Sequence, residues 1–355
     1  MKDFYKGKRV LVTGHTGFKG SWLVQVLLNF GAEVVGVSLA PETTPNMFDV
    51  LGIQSKIKNY FTDIRDFEVL HKIFKEEKPE IVFHLAAQAI VRTSYDDPIK
   101  TISTNVVGTA HVLEAVRSTE SVKSAVIITT DKVYENKEWH YAYRENDPLG
   151  GYDPYSASKA AADIIANSYI QSFFNPKDFK VKHQTLVAIA RAGNVIGGGD
   201  WAEYRLIPDI VRSIYEKKEK IQSRNPHAVR PWQHVLEPLS GYLLLGEKLY
   251  QGEVELSGAW NFGPTNESFV TVGELIDEAI KILGEGEHEH IPDSSKHEAH
   301  NLKLDINKAH SILKWKPRLA FNDTLQMTYG WYKNYYNNVE DVVTFTNEQI
   351  LLFFK

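Results

Sequence analysis

The sequence predicts a doubly wound α/β fold of the Rossmann type, a parallel sheet with helices on both faces, and a smaller α/β lobe beside it. Two observations carry the prediction. Short apolar runs such as RVLVTG, EVVGVSL, IVFHLAA and SAVIITTD alternate with amphipathic segments, a pattern typical of parallel strands buried on both faces by crossover helices. The alternation becomes looser and the elements shorter from about residue 197.

The individual elements agree with this fold. Leu23, Leu27 and Phe30 recur at helical spacing in the first helix, and Gly31 follows where a C-terminal cap belongs. A further helix is expected between Pro154 and Phe174, and a strand in TLVAIARAG. We therefore assign residues 1–195 to a dinucleotide-binding domain and residues 196–355 mainly to a substrate-binding lobe, some of whose segments return to the first domain.

Composition narrows the classes of function. The chain has 355 residues and a formal net charge of −5, which argues against nucleic acid as a partner. It has no cysteine, so disulfides, thiolate metal sites and cysteine nucleophiles are excluded. No apolar signal segment opens the sequence and no window reaches the ~18 to 20 apolar residues of a membrane helix, so we expect a cytoplasmic protein.

A glycine-rich turn indicates the cofactor. Gly14, Gly17 and Gly20 follow the first strand with the spacing GxxGxxG, which allows a tight turn and lets backbone N–H groups approach a pyrophosphate. Ser38 ends the second strand, and no arginine lies between Gly20 and Asp63 to accept a 2′-phosphate. The pattern favours NAD over NADP. Asp63 is predicted either to contact adenine or to cap the following helix.

Two short segments carry candidate chemistry. TTDKVYE, residues 129–135, ends an apolar strand with hydroxyls, an acid and a base. YSASK places Tyr155 and Lys159 four residues apart, on one face of a helix. A lysine one turn from a tyrosine can lower the pKa of the phenol and make a phenolate usable near neutral pH.

Together, the glycine motif, the threonine at a strand end and the YxxxK pair resemble the extended short-chain dehydrogenase/reductase family, over nearly the whole chain. The resemblance implies a catalytic triad of Thr130, Tyr155 and Lys159, with His84 to Gln88 and Asn105 along the cofactor pocket. The full set of cofactor contacts that it implies is Gly14, His15, Thr16, Gly17, Phe18, Gly20, Ser38, Asp63, Ile64, Leu85, Ala86, Ala87, Gln88, Asn105, Thr129, Tyr155 and Lys159.

Longer segments narrow the resemblance within that family. TTDKVYENKEW, RAGNVIGGGDWAEYRLIPD, RPWQHVLEPLSGYLLLGEKLY and HEAHNLKLD are similar to the nucleotide-sugar 4,6-dehydratases that act on CDP-glucose. That resemblance implies oxidation at carbon 4, elimination across carbons 5 and 6, and return of hydride to carbon 6. It also implies substrate contacts from Gln88, Asn194, Arg205, Leu206, Arg230 and His297.

The acid and base of the elimination are expected at Asp131 and Lys132. In the dehydratases of dTDP-glucose the corresponding pair is Asp-Glu, so Lys132 departs from them. For Lys132 to act as the base it must be neutral, and Asp131 must hold a proton to act as the acid. The alternative is an ammonium that pairs with Asp131 and fixes its position without proton transfer.

Two other functions fit parts of the sequence. A 4-epimerase of the same fold needs no acid and base at carbons 5 and 6, and a non-catalytic dinucleotide sensor could discard Tyr155 and Lys159. Histidines 288, 290, 297 and 300 lack metal-ligand spacing, so no metal is expected. The family implies a homodimer or homotetramer, with dimerisation through helices near Thr101 to Val116 and Tyr155 to Ser172.

Overall fold

The alternating apolar runs form neighbouring strands of one parallel sheet. The structure, a computed structural model, describes residues 1–223, 225–291 and 302–355. Its strands are β1 (Arg9–Thr13), β2 (Glu33–Ser38), β3 (Lys58–Phe61), β4 (Ile81–His84), β5 (Ser124–Ile128), β6 (Leu186–Ala192), β7 (Val195–Ile196), β8 (Ile221–Ser223), β9 (Val229–Pro231), β10 (Gln233–His234), β11 (Gly258–Phe262), β12 (Phe269–Thr271) and β13 (His288–His290).

Within the described residues, the central sheet has seven strands in the order β11-β6-β5-β4-β1-β2-β3. Every neighbouring pair in it is parallel. The order reverses around β1, as a doubly wound sheet requires, and the predicted fold class is confirmed. The late strand β11 pairs with β6 in this sheet, so the chain returns to the first domain after residue 196.

Helices connect the strands and cover the sheet. They are α1 (Lys2–Tyr5), α2 (Phe18–Asn29), α3 (Met47–Val50), α4 (Phe67–Glu77), α5 (Val91–Asp96), α6 (Pro98–Ile102), α7 (Gly108–Arg117), α8 (Pro154–Ser172), α9 (Leu206–Val211), α10 (Leu236–Tyr250), α11 (Val272–Leu283), α12 (Phe321–Asn337) and α13 (Val342–Phe353). None of them, in the described part of the chain, is long and apolar enough to cross a lipid bilayer.

Two apolar cores lie on opposite faces of the sheet. Val10 and Val12 of β1 pack into one core, and Leu11 between them packs into the other, because successive strand side chains point to opposite faces. Burial on both faces explains why these strands read as continuous apolar runs.

The remaining strands form small sheets near the carboxyl edge of the central sheet. β7 pairs with β10, β8 with β13, and β9 with β12. The short elements after β6 are therefore held largely by their own local pairings, which accounts for the looser sequence pattern there.

Candidate active site

A cleft of about 1980 Å³ opens along the carboxyl edge of the central sheet. Ligands of open α/β sheets bind at this edge, near the point where the strand order reverses. A pocket for one drug-sized ligand measures roughly 300 to 1,000 Å³, so this cleft has room for two large ligands.

Most of the residues predicted to form the site line the cleft. They are Gly14, Thr16, Gly17, Phe18, Gly20, Ser38, Asp63, Ile64, Leu85, Ala86, Ala87, Gln88, Thr129, Thr130, Asp131, Lys132, Tyr155, Lys159, Asn194, Arg205, Leu206 and Arg230. His297 lies outside the described residues.

The glycine-rich turn packs too tightly for side chains at two of its positions. Gly14 has a φ of 75°, and a Cβ on it would lie 2.6 Å from the backbone nitrogen of Ala86. A Cβ on Gly20 would lie 2.0 Å from the carbonyl oxygen of Gly14. Gly17 caps α2 and is exposed to the cleft. The turn thus presents a helix N-terminus that fits the pyrophosphate of a dinucleotide.

Polar side chains that could hold a ribose lie in the glycine-rich turn and at the ends of β2 and β3. The Thr16 and Ser38 hydroxyl oxygens lie 2.9 Å apart. Asp63 accepts a hydrogen bond of 2.6 Å from the Arg65 guanidinium, which lowers the pKa of the Asp63 carboxyl. Helix α4 is capped by Asp66, so the capping role considered for Asp63 falls to its neighbour.

Three side chains expected along the cofactor pocket lie away from the cleft. The His15 ring is buried against Gly36 and bonds Asn59. His84 is also buried, with its ring nitrogens 2.7 Å from the Thr13 hydroxyl and 2.9 Å from the Thr109 hydroxyl.

Asn105 is the third of these side chains. It donates to the Gln88 carbonyl oxygen at 3.0 Å and accepts from the Gln88 N–H at 2.8 Å. It therefore supports Gln88, which does line the cleft, and makes no contact with the cleft itself.

The segment after β5 turns sharply at the mouth of the cleft. Thr130 caps a single turn over Asp131–Val133, with its hydroxyl accepting from the Lys132 N–H at 3.4 Å. The same hydroxyl lies 2.9 Å from Asp131 Oδ1. This turn holds the acid and the hydroxyl side by side.

Helix α8 supplies the phenol and the buried lysine. Asp153 caps the helix and Pro154 opens it, so Tyr155 lies in the first turn, near Thr130, which lowers the pKa of its phenol. The Lys159 ammonium, one turn further on, donates to the Ile128 carbonyl oxygen at 2.9 Å. The first turns of α8, which carry Tyr155 and Lys159, therefore lie against the end of β5.

The pKa of the Tyr155 phenol differs from the prediction that Lys159 lowers it. Burial raises the pKa of the Tyr155 phenol to about 12, outweighing the hydrogen bond from Thr130. Burial also lowers the pKa of Lys159 to about 8, against the opposing effect of Asp163. Desolvation disfavours the charged form of both groups, so the lysine does not produce a low phenol pKa here.

Asp131 has the environment of an acid. The residue is 5 % exposed, and burial raises the pKa of its carboxyl although the nearby charge of Lys132 lowers it. Lys132 itself is half-buried and lines the cleft. A buried carboxyl with a raised pKa keeps its proton to higher pH.

Residues from the second half of the chain also line the cleft. Arg205 forms an ion pair of 2.9 Å with Asp200, and its charge reaches Tyr155 and lowers the pKa of the phenol. Arg92 stacks over the Tyr204 ring at 4.5 Å, linking α5 to the loop before α9 at the rim. Arg205 therefore lies close enough to the reactive cluster for its charge to act on the phenol.

A buried ion pair between Arg191 and Asp163 lies next to the cluster of Thr130, Tyr155 and Lys159. Arg191 of β6 donates to both oxygens of Asp163, at 2.8 and 2.7 Å, and to the Tyr134 hydroxyl. Thr129 also donates to Asp163, at 3.1 Å. Asp163 follows Lys159 by one turn of α8, so the pair joins the helix to the strands beneath it.

We expect an Asp163→Asn variant to lose about 3 to 5 kcal/mol of unfolding free energy, because it leaves the buried Arg191 guanidinium without its counter-charge. Chemical denaturation of the purified variant would measure the loss. Asp178→Asn, which breaks the exposed Asp178–Lys182 pair, is a matched control and should cost about 1 kcal/mol or less. Equal losses in the two variants would contradict the structural importance of the buried pair.

Lys19 is a cleft residue that the sequence prediction did not include. It lies in the first turn of α2, between Phe18 and Gly20, and lines the cleft. Its position beside a glycine of the motif, at the junction of β1 and α2, could have drawn attention to it. A single lysine at a helix start carries no further information in the sequence.

Fold and site together define a Rossmann-type dinucleotide-binding protein with a Thr, Tyr and Lys cluster, the arrangement of a short-chain dehydrogenase/reductase. The model of the GDP-mannose 4,6 dehydratase family matches residues 11–328. The chain belongs to this family.

Individual relatives agree with the family. The chain is 47% identical over 350 residues to a CDP-glucose 4,6-dehydratase of Salmonella typhimurium, covering 98% of this chain and 97% of that protein. The crystal structure of dTDP-glucose 4,6-dehydratase from Bacillus anthracis in complex with NAD superimposes with a TM-score of 0.74 at 27% identity, covering 92% and 97%. UDP-glucose 4-epimerase of Thermotoga maritima, with UDP-glucose, has a TM-score of 0.78 at 22% identity, covering 92% and 99%, and shares the fold.

Proposed function

We propose that the protein is an NAD-dependent lyase that converts CDP-glucose to CDP-4-keto-6-deoxyglucose. The observation that carries the proposal is the buried Asp131, whose pKa is raised by burial, beside Lys132 in the same cleft as Tyr155, Lys159 and the glycine-rich turn. Elimination of water needs such an acid and base, and epimerisation at carbon 4 does not. The 47% identity to a CDP-glucose 4,6-dehydratase supports the same activity and the same nucleotide.

NAD fits the glycine-rich turn, where Gly14 packs closely on Ala86 and Gly20, in α2, packs closely on Gly14. When bound, NAD accepts hydride from carbon 4 of the sugar and returns it to carbon 6. Thr16, Ser38 and Asp63 would hold its ribose and adenine end, and Lys159 its other ribose. The sequence between Gly20 and Asp63 contains no arginine, which favours NAD over NADP.

Tyr155 removes the proton of the carbon 4 hydroxyl, and Thr130 hydrogen-bonds the same oxygen. Loss of this proton together with the hydride of carbon 4 gives a ketone, which acidifies the hydrogen on carbon 5. Lys132 acts as the base that removes that hydrogen, and Asp131 gives its proton to the departing hydroxyl of carbon 6. The raised pKa of the Asp131 carboxyl suits it to the role of acid.

The second half of the chain would bind the nucleotide diphosphate. Arg230 and Asn194 line the cleft, and an arginine fork accepts two phosphate oxygens at once. Arg205 and Leu206 would lie along the sugar and nucleotide, with Gln88 on the opposite wall. His297 completes the proposed set.

The test is incubation of the purified protein with NAD and, separately, CDP-glucose, dTDP-glucose, UDP-glucose and GDP-mannose, with the 4-keto-6-deoxy product read by mass spectrometry. We expect turnover of CDP-glucose and little of the others. A 4-epimer of the substrate as product would establish an epimerase instead. Binding of NAD without any turnover would establish a dinucleotide sensor.

The protein should act in the cytoplasm, where NAD and nucleotide sugars are available, and as a homo-oligomer. Exposed apolar side chains lie on neighbouring helices, with Ile99 and Ile102 on α6 and Ile164 and Phe173 on or beside α8. Such a surface is typical of a helix-to-helix dimer contact. Sedimentation equilibrium decides between a dimer and a tetramer of the 40.3 kDa chain.

A further inference from the structure

Lys19 lies in the same cleft as the reactive cluster. Its side chain is half-buried and lines the cleft, and the Tyr242 ring lies 5.8 Å from its ammonium. Across the residues that the structure describes, this ammonium has no hydrogen-bond or ion-pair partner. Partly buried ammonium groups are usually paired, so Lys19 has charge to offer to the reaction.

The charges around Lys19 come from three other elements. Burial lowers its pKa to about 8, helped by the positive charges of Arg205, before α9, and Lys159, on α8. The carboxyl of Asp131 acts in the opposite direction on Lys19. Lys19 in turn lowers the pKa of Asp131. Lys19, in the first turn of α2, and Asp131, in the turn after β5, line the same cleft, and the charge of each acts on the other.

We propose that Lys19 is a positioning residue of the elimination step, whose ammonium stabilises the carboxylate that Asp131 becomes when it gives up its proton. This inference rests on the proposed function. In that step the covalent C–H bond at carbon 5 breaks and its proton passes to Lys132. The two electrons of that bond form the double bond between carbons 5 and 6. The carbon 6 to oxygen bond breaks, and the oxygen leaves as water with the proton of Asp131.

The physical reason is the burial of Asp131. A carboxylate is unfavourable at a site that is 5 % exposed unless a positive charge compensates it. Lys132 gains its proton in the same step, but its charge arises only as the reaction proceeds. Lys19 supplies a positive charge that is present before the proton moves, and such preorganised charge lowers a barrier without reorganisation.

A single-turnover experiment separates the steps with two substrates. CDP-glucose needs a proton on its departing hydroxyl, whereas CDP-6-deoxy-6-fluoroglucose loses fluoride, which leaves without one. We expect Lys19→Met to slow elimination from CDP-glucose by about 10- to 100-fold, the effect of one nearby opposite charge on a carboxyl, and to leave the fluoro substrate nearly unaffected. Lys19→Arg, which keeps the charge, should restore most of the rate.

A second measurement needs no turnover. Carbon-13 NMR of aspartate-labelled protein, with Asp131→Asn to assign the signal, gives the carboxyl pKa of Asp131 directly. We expect Lys19→Met to raise this pKa and Lys19→Arg to leave it close to the wild-type value. Circular dichroism and thermal unfolding of each variant verify that the fold is intact.

Three results would overturn the inference. They are equal slowing with both substrates, an unchanged Asp131 pKa in Lys19→Met, and weaker NAD binding with unchanged elimination, which would make Lys19 a cofactor contact. If the wild type fails to turn over CDP-glucose, the proposed function fails instead, and the titration still tests the coupling of Lys19 to Asp131.

Discussion

A Tyr155→Phe enzyme should oxidise carbon 4 of CDP-glucose about 10² to 10⁴ times more slowly than the wild type, the usual range for losing a general base. Tyr155 is the phenol that contacts Thr130 at the mouth of the cleft. Removing its oxygen leaves the fold intact but leaves no group to accept the hydroxyl proton. Stopped-flow absorbance of NADH under single-turnover conditions measures this step.

The pH dependence of the same step follows from the two pKa values. Because burial raises the pKa of Tyr155 to about 12, the phenolate is the scarce form at neutral pH, and the rate should rise as pH increases. The rise should end near pH 8, where Lys159, with its pKa lowered to about 8, begins to lose its charge. In Tyr155→Phe the rising part of the profile should be absent.

Tyr141→Phe provides the control. Tyr141 is exposed, lies in the loop between β5 and α8, and does not line the cleft. Its oxidation rate should match the wild type at every pH. A Tyr155→Phe enzyme that retained both the rate and the rising profile would assign the base to another group.

The parts of the site that depend on local sequence could be predicted. The strand, glycine turn and helix around Gly14 and Gly20 are fixed by local steric requirements, and the Tyr155 and Lys159 spacing by helix geometry. Both sets of residues line the cleft. The predicted Gly31 position likewise has a positive φ of 78°, directly after the helix end at Phe30.

Other features depend on tertiary packing and could not be read from the sequence. Whether a side chain enters the cleft depends on neighbouring elements, which is why His15, after a strand, and Asn105, in a helical segment, turn out to be buried. The direction of the Tyr155 pKa shift depends on how much burial opposes the charges around it. A pattern of residue types cannot give that balance.

Ion pairs between segments that are distant in the sequence could not be predicted either. Asp163 and Arg191 stand in apolar stretches of a helix and a strand, and a charge in such a stretch usually has a buried partner. Neither stretch identifies which partner. The coupling of Lys19 to Asp131 likewise joins residues more than a hundred positions apart, and it exists only because β1 and β5 end at the same edge of the sheet.

A Lys132→Met enzyme should still oxidise carbon 4 of CDP-glucose and form NADH but lose solvent-deuterium exchange at carbon 5 by about 10² to 10⁴-fold. The reason is that Tyr155 and Thr130, which act on carbon 4, remain in place, while the amine that removes the carbon 5 hydrogen is gone. Mass spectrometry of the sugar recovered from deuterium oxide measures the exchange. Lys137→Met, which changes an exposed lysine in the same loop, should exchange as fast as the wild type.

The variant Lys132→Glu separates the two roles considered for Lys132, because a carboxylate can act as a base but cannot balance the charge of Asp131. If Lys132 removes the carbon 5 hydrogen, Lys132→Glu should exchange deuterium faster than Lys132→Met. If Lys132 serves only as an ammonium that lowers the pKa of Asp131, the added negative charge should make Lys132→Glu the slower of the two. Unchanged exchange in Lys132→Met would exclude the base role, since no proton would then depend on that amine.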